Sequence, residues 1–189
     1  MKLDPKYKYV ILAEDKQTQC FIRFILRNNG VESRKMRFIP TPEGCGEQFV
    51  RIHLVDEIKI LRSTNYDRRK VLIAVTDADV NAVENRVRML EDECISSGVD
   101  WRRNKELIAI FVPKRNIETW IHAYADGFDN IDETTDYRHN YGAEKKCRPY
   151  AIEMSEDLMA DRLKNNNHSS LQYAQKEYDR ICSLQMQIN

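Results

Sequence analysis

The sequence predicts an α/β fold, a mostly parallel sheet flanked by helices, with a helical extension at its C-terminal end. Three observations carry this. Short apolar runs alternate with helical patterns four times between residues 7 and 127. The runs are continuous rather than alternating, which suits strands buried on both faces. After Gly127 the strand-like runs stop and two helical patterns follow. Such alternation implies parallel strands joined by right-handed crossovers.

"YKYVILAED" (7–15) reads as the first strand. "KQTQCFIRFILRNNG" (16–30) is a helix with Cys20, Phe21, Phe24 and Ile25 at helical spacing and Gly30 as its stop. "RKMRFIP", closed by Pro40, is a second, shorter strand. "TPEGCGEQF" (41–49) holds two glycines and reads as a loop; "FVRIHLVDEIKILR" (49–62) is a helix with Val50, Leu54, Ile58 and Leu61 as its buried stripe. Val71–Thr76 is the third strand. The helix after it carries Val83, Val87, Leu90 and Cys94 on one face, with Asp79 or Asn81 as candidate N-cap and Gly98 as its end. "LIAIFVP" (107–113) is the fourth strand, and "NIETWIHAYADG" (116–127) a short helix capped by Asn116. Residues 1–127 form the core. Residues 128–147 are polar without a clear period, and helical patterns near 148–164 and 169–187 complete an extension, 128–189, packed on that core.

The chain has 189 residues, with 30 basic and 30 acidic side chains. Balanced charge neither demands nor excludes nucleic acid; any basic surface must be a local patch. Five widely spaced cysteines without a CxxC read as reduced thiols, not a disulfide frame or a zinc site. The first residues, "MKLDPKYKYVILAEDK", hold a short apolar run closed by acids, unlike a signal peptide. No run approaches membrane-spanning length. A cytoplasmic protein without membrane contact is expected.

The chemistry gathers where strands end. In open parallel sheets, ligands bind outside the carboxyl ends of the strands. Strand one ends in Glu14–Asp15 and strand three in Asp77–Ala78–Asp79. If the two strands are neighbours, their carboxylates converge on one rim. Residues two apart in extended chain point the same way, so Asp77 and Asp79 share a ligand, while Asp15 faces away from Glu14. Clustered carboxylates resist joint ionisation. A divalent cation relieves that conflict, and Mg²⁺ suits hard oxygen ligands. Solvated strand ends and helix capping are the plain alternatives for each acid alone.

The Glu after the first strand, in "YVILAED", and the DxD of "VLIAVTDAD" resemble the Toprim domain, a Rossmann-like fold shared by topoisomerases, bacterial primases and OLD-type (overcoming lysogenisation defect) nucleases. The resemblance covers roughly residues 7–125. It implies that Glu14, Asp77 and Asp79 hold Mg²⁺ or Mn²⁺. Small stand-alone Toprim-like proteins and OLD-type nucleases look closer than topoisomerases. In those a further acid often follows the next strand, and "FVPKRNIETWIHAY" is similar, which implies Glu118 as a ligand of a second metal. Two positions depart from the pattern: Asp15 stands where Gly is common, and Asn81 where many members carry a third acid.

Metal beside basic residues suggests phosphodiester hydrolysis of DNA or RNA. Glu14 is the candidate base. Lys114 or Arg115 would neutralise charge on the phosphate. Lys16, Arg102, Arg103, Lys145 and Lys146 are candidate contacts to a nucleic-acid backbone. "GCGE" (44–47) is a weak candidate for presenting backbone N–H groups to phosphate, and His122 reads as a packed or surface histidine. The resemblance to OLD-type modules implies an ATPase partner subunit and a role in defence. Two alternatives stand beside the nuclease. One is a receiver-like phospho-switch, with Asp77 as phosphoacceptor and Lys114 as its lysine. The other is a catalytically silent interaction module docking through Tyr173, Tyr178, Ile181 and Leu184.

Overall fold

A computed structural model describes residues 1–42, 44–63, 69–138, 141 and 144–188, without the side chains of Glu144 and Lys145. The element order is β1 (Lys8–Ala13), α1 (Lys16–Asn28), β2 (Met36–Phe38), α2 (Gly46–Ser63), β3 (Lys70–Val75), α3 (Val83–Ser96), β4 (Ile108–Phe111), α4 (Ile117–Asp126), α5 (Arg148–Met159) and α6 (Ser169–Ile188). The four strands form one sheet in the order β2-β1-β3-β4, and every pairing is parallel. The α/β fold is therefore as the alternation demands. No helix is long and apolar enough to cross a membrane among the described residues.

Successive strand residues face opposite sides, and both sides are apolar. Tyr9, Ile11 and Ala13 of β1, with Val71, Ile73 and Val75 of β3, enter one core cluster with residues of α1, α4, α5 and α6. Leu12, Leu72, Ala74, Ile108 and Ile110 enter a second, with α2 and α3. This two-sided burial is why the strands read as continuous apolar runs.

The last two helices are part of that architecture. Helix α5 packs on α1, and α6 lies along β4. The apolar stripe considered for docking a partner is used internally: Tyr178, Ile181 and Leu184 are buried in the first cluster, and Tyr173 packs against the second. Helix α6 also covers the outer edge of β4. Glu177 accepts from the Ile110 N–H (3.0 Å), and Arg180 and Arg102 donate to the Ile108 carbonyl (2.6 and 3.1 Å). An open strand edge is thereby given side-chain partners, which removes a template for edge-to-edge pairing.

Several boundaries differ from the sequence expectation. Helix α2 begins at Gly46 rather than at Phe49, so part of the glycine-bearing stretch is helical. The N-cap of α3 is Ala82, without a side-chain cap bond; neither Asp79 nor Asn81 caps it. Asn116 holds the N-cap position of α4, but its side chain donates to Asp136 Oδ1 (2.7 Å) instead of to the helix.

Candidate metal and phosphate site

The strand order places the topological switch between β1 and β3. From β1 the chain crosses to β2 on one side; β3 lies on the other. Glu14 and Asp77 follow the carboxyl ends of those two strands. They are brought together: Glu14 Oε1 accepts from the Asp77 N–H (2.8 Å) and from the Thr76 hydroxyl. The two acids are thus locked across the switch by the backbone of one and the carboxylate of the other.

Asp77 is 5% exposed, and its Oδ1 is buried without a hydrogen-bond partner. Burial pushes its pKa well above the ordinary aspartate range, and the charges of Glu14, Asp15, Glu118 and Asp79 push the same way. Burial likewise raises Glu14, against the opposing bonds from Thr76 and Asp77 and the nearby Arg86 charge. Glu118, in the first turn of α4, is also buried and raised, again chiefly by desolvation. Glu14, Asp77 and Glu118, all raised in the same direction, thus act on one another at one rim. Such perturbation marks a functional site more often than a structural one.

An open cleft of about 420 Å³ is lined among others by Glu14, Asp15, Lys16, Glu118, Arg138 and Tyr141; Asp77 lies behind Glu14 and is not part of the lining. Asp15, expected to face away, caps α1 by accepting from the Thr18 N–H (2.7 Å), and its charge reaches both Asp77 and Glu118. The chain turns into a helix directly after Glu14, so strand alternation no longer governs position 15.

Asp79 is placed differently from the extended-chain expectation. Strand β3 ends at Val75, and Asp79 takes a left-handed backbone, φ 53°. Its carboxylate pairs with Arg86 of α3 (2.8 Å) and lies 3.9 Å from Arg138. Arg86 is 3% exposed and also grips Glu47 of α2 (2.9 Å). A buried guanidinium thus holds the third rim acid. Among the described residues, no three His, Cys, Asp or Glu side chains are grouped so that they could hold a metal ion together.

Sequence reasoning missed Arg86, yet a signal existed. Position 86 lies on the Val83–Val87–Leu90 stripe of α3, where a charge must find a buried partner. It read Gly46 only as part of a stretch that presents N–H groups to phosphate, not as a contact with Glu14. A methyl carbon there would sit 3.0 Å from Glu14 Cβ, 3.2 Å from its carbonyl oxygen and 3.3 Å from Oε2. Glycine lets α2 begin in close contact with Glu14 without displacing it. The "GCGE" stretch therefore serves close approach to an acid in the first instance.

The candidate cations divide. Lys16 is exposed on the cleft wall. The Lys114 ammonium donates to the Asn81 carbonyl, and Arg115, at φ 66°, lies 3.8 Å from Asp136. Asp79 and Arg115 form an antiparallel bridge that ties the two post-strand loops together. Arg102 and Arg103 precede β4, so they sit at the amino edge of the sheet, a strand's length from the rim. Arg102 is moreover paired with buried Glu177 (2.7 Å through Nη2), and Arg103 with Asp100 (3.0 Å). Lys146 is exposed before α5 and does not line the cleft; the side chain of Lys145 lies outside the described residues. Arg138, absent from the sequence expectation, does line it. His122 is packed: its ring stacks on Tyr137 (3.9 Å), and Nδ1 meets the Tyr141 hydroxyl (2.7 Å).

No family model matches this chain, and neither the curated proteins nor the solved structures searched yield a match. The class the fold and rim define is an open parallel α/β protein with an acidic switch-point cleft.

Proposed function

We propose that this chain is a metal-dependent phosphodiesterase acting on nucleic acid at the rim of β1 and β3. The observation that carries the reading is the Glu14–Asp77 pair: Glu14, on the wall of an open cleft, accepts from the Asp77 N–H, and the Asp77 carboxyl behind it has a buried, partnerless Oδ1. An orphaned buried carboxylate oxygen is costly, and a hard divalent cation is the partner that best offsets it. The donor set is all oxygen, which fits Mg²⁺ or Mn²⁺. Glu14 and Asp77 would hold the ion, with Asp79 joining if it leaves Arg86, and Glu118 serving a second position. The ion would supply Lewis acidity toward a phosphoryl oxygen and an acidified water.

The chain's own residues do the rest. Lys16 and Arg138, on the cleft wall, attract and orient a phosphodiester. Glu14, whose pKa burial raises, would be the carboxylate that accepts a proton from water, and nearby positive charge favours its charged form. Arg86 keeps the Asp79 charge from adding to the repulsion at the rim. The resemblance to small Toprim-like and OLD-type nucleases supports the same reading, and with it we propose a cytoplasmic role beside an ATPase partner. The receiver alternative has less support, because Asp77 is buried and the Lys114 ammonium is spent on Asn81.

The test is cleavage of labelled DNA and RNA by the purified chain with Mg²⁺ or Mn²⁺, with Glu14→Gln as the probe variant. Glutamine keeps the shape and one acceptor but loses charge and basicity. Cleavage should require metal and fall at least a hundredfold in Glu14→Gln. Activity that survives this substitution belongs to a contaminant. Absence of cleavage with the ATPase partner present as well overturns the assignment, and labelling of Asp77 by acetyl phosphate would favour the receiver.

A further inference from the structure

A second cleft of about 420 Å³ opens at the opposite, amino-terminal edge of the sheet. Residues Lys8 and Lys70 are the first of β1 and β3. Six residues of strand, at about 3.3 Å each, therefore separate this cleft from the acidic rim by about 20 Å. The two sites share no lining residue.

Its chemistry is the reverse of the rim. Five cations line it, Lys8, Arg34, Lys35, Arg37 and Lys70, and among the described lining residues the one acid is Glu57. Glu57 is engaged by Arg37 (2.6 Å), and Arg34 pairs with Glu32 outside the cleft (2.6 Å). Lys35 donates to the Lys6 carbonyl (2.8 Å), a neutral partner that leaves its charge uncompensated. Between the cations the lining is apolar: Val10 and Leu72 from the sheet, Met36 from β2, and Ile60 and Leu61 from α2. Ile60 is 46% exposed, more than a large aliphatic at a helix end needs to be. A protein with balanced total charge has concentrated positive charge around an apolar hollow.

We propose that this cleft binds a nucleoside phosphate, with the base on the Ile60–Leu61 side and the phosphates near Lys35 and Lys70. The volume suits one nucleotide, since small-molecule sites begin at about 300 Å³. Cations at the mouth match the phosphates; the apolar hollow matches a planar base, on which the Arg34 or Arg37 guanidinium can also stack. This ligand differs from the polymer assigned to the rim, and its binding needs no divalent ion, because lysine ammonium groups supply the counter-charge.

Isothermal titration of the full chain in EDTA separates the two sites, since the rim then carries no metal. ATP, adenosine and pyrophosphate are the probes. ATP should bind at least tenfold more tightly than either fragment. The Lys35→Gln/Lys70→Gln variant should weaken ATP at least tenfold while melting near wild type, and Glu14→Gln should leave ATP binding unchanged. Affinity should also fall as salt rises, a wild-type measurement that stands if the double variant folds poorly. Absence of binding at millimolar ATP, salt-insensitive binding, or unaltered affinity in a folded double variant overturns the proposal. So does pyrophosphate binding as tightly as ATP, which would make this a plain anion site.

Discussion

Replacing Gly46 by alanine tests whether α2 is fitted to Glu14. The backbone there is not left-handed, and the residue opens a helix, so alanine in open space would be neutral or stabilising by up to about 1 kcal/mol. The surroundings reverse the sign. The added carbon would meet Glu14 Cβ at 3.0 Å and its carbonyl oxygen at 3.2 Å, whereas comfortable carbon contacts lie near 3.5–4.0 Å. Neither atom moves with side-chain rotation, so β1 and α2 must separate by about half an ångström. Overpacking of this kind costs about 1–3 kcal/mol. Set against the helical gain, the net loss is about 1 kcal/mol, or about 2–4 °C in Tm for a chain of 189 residues. Thermal melts of the four corners of a Gly46→Ala and Glu14→Gly cycle measure it. The alanine should cost less in the Glu14→Gly background, because the nearest contact is gone, and the Mn²⁺-induced rise in Tm should shrink in Gly46→Ala alone. A higher Tm for Gly46→Ala, or the same cost in both backgrounds, would refute the close-approach argument.

The raised acids set a pH dependence. Glu14, Asp77 and Glu118 bind protons more tightly folded than unfolded. These three groups should therefore stabilise the metal-free protein most below the ordinary carboxylate range, a contribution lost as pH rises through the raised values. On the proposed metal site Mn²⁺ would compete with those protons, so its stabilisation should grow from pH 5 to pH 8 and vanish in Asp77→Ala/Asp79→Ala; melts across pH with Mn²⁺ or EDTA check both. Arg86→Met should cost about 2 kcal/mol, about 4–8 °C in Tm. It strands Asp79 and Glu47, though both carboxylates are partly hydrated, which keeps the loss below that of a fully buried pair. It should also push Glu14 further toward its protonated form, seen as a higher pH midpoint for Mn²⁺ binding.

The strands were legible because each is buried on both faces, which leaves continuous apolar runs such as "YVILA" and "VLIAV". Their acids were legible because a carboxylate at a strand end sits where parallel sheets bind ligands. Arg102 and Arg103 were read as backbone contacts to nucleic acid, but they precede their strand, and a parallel strand carries such residues at the edge opposite the rim.

Pairing was not legible in the sequence. Whether β1 lies beside β3, and so whether Glu14 meets Asp77, depends on contacts between residues more than sixty positions apart. The start of α2 depended on the same packing: a glycine-rich stretch reads locally as a loop, yet the space beside Glu14 admits a helix there if position 46 has no side chain. The fate of charges was tertiary as well. Arg86 and Glu177 occupy apolar-stripe positions on their helices, and their partners, Asp79 with Glu47 and Arg102 with the Ile110 N–H, come from other elements. Local periodicity reports which face of a segment is buried. What that face meets is decided when distant segments pack, because burial makes an unpaired charge too costly to leave without one particular partner.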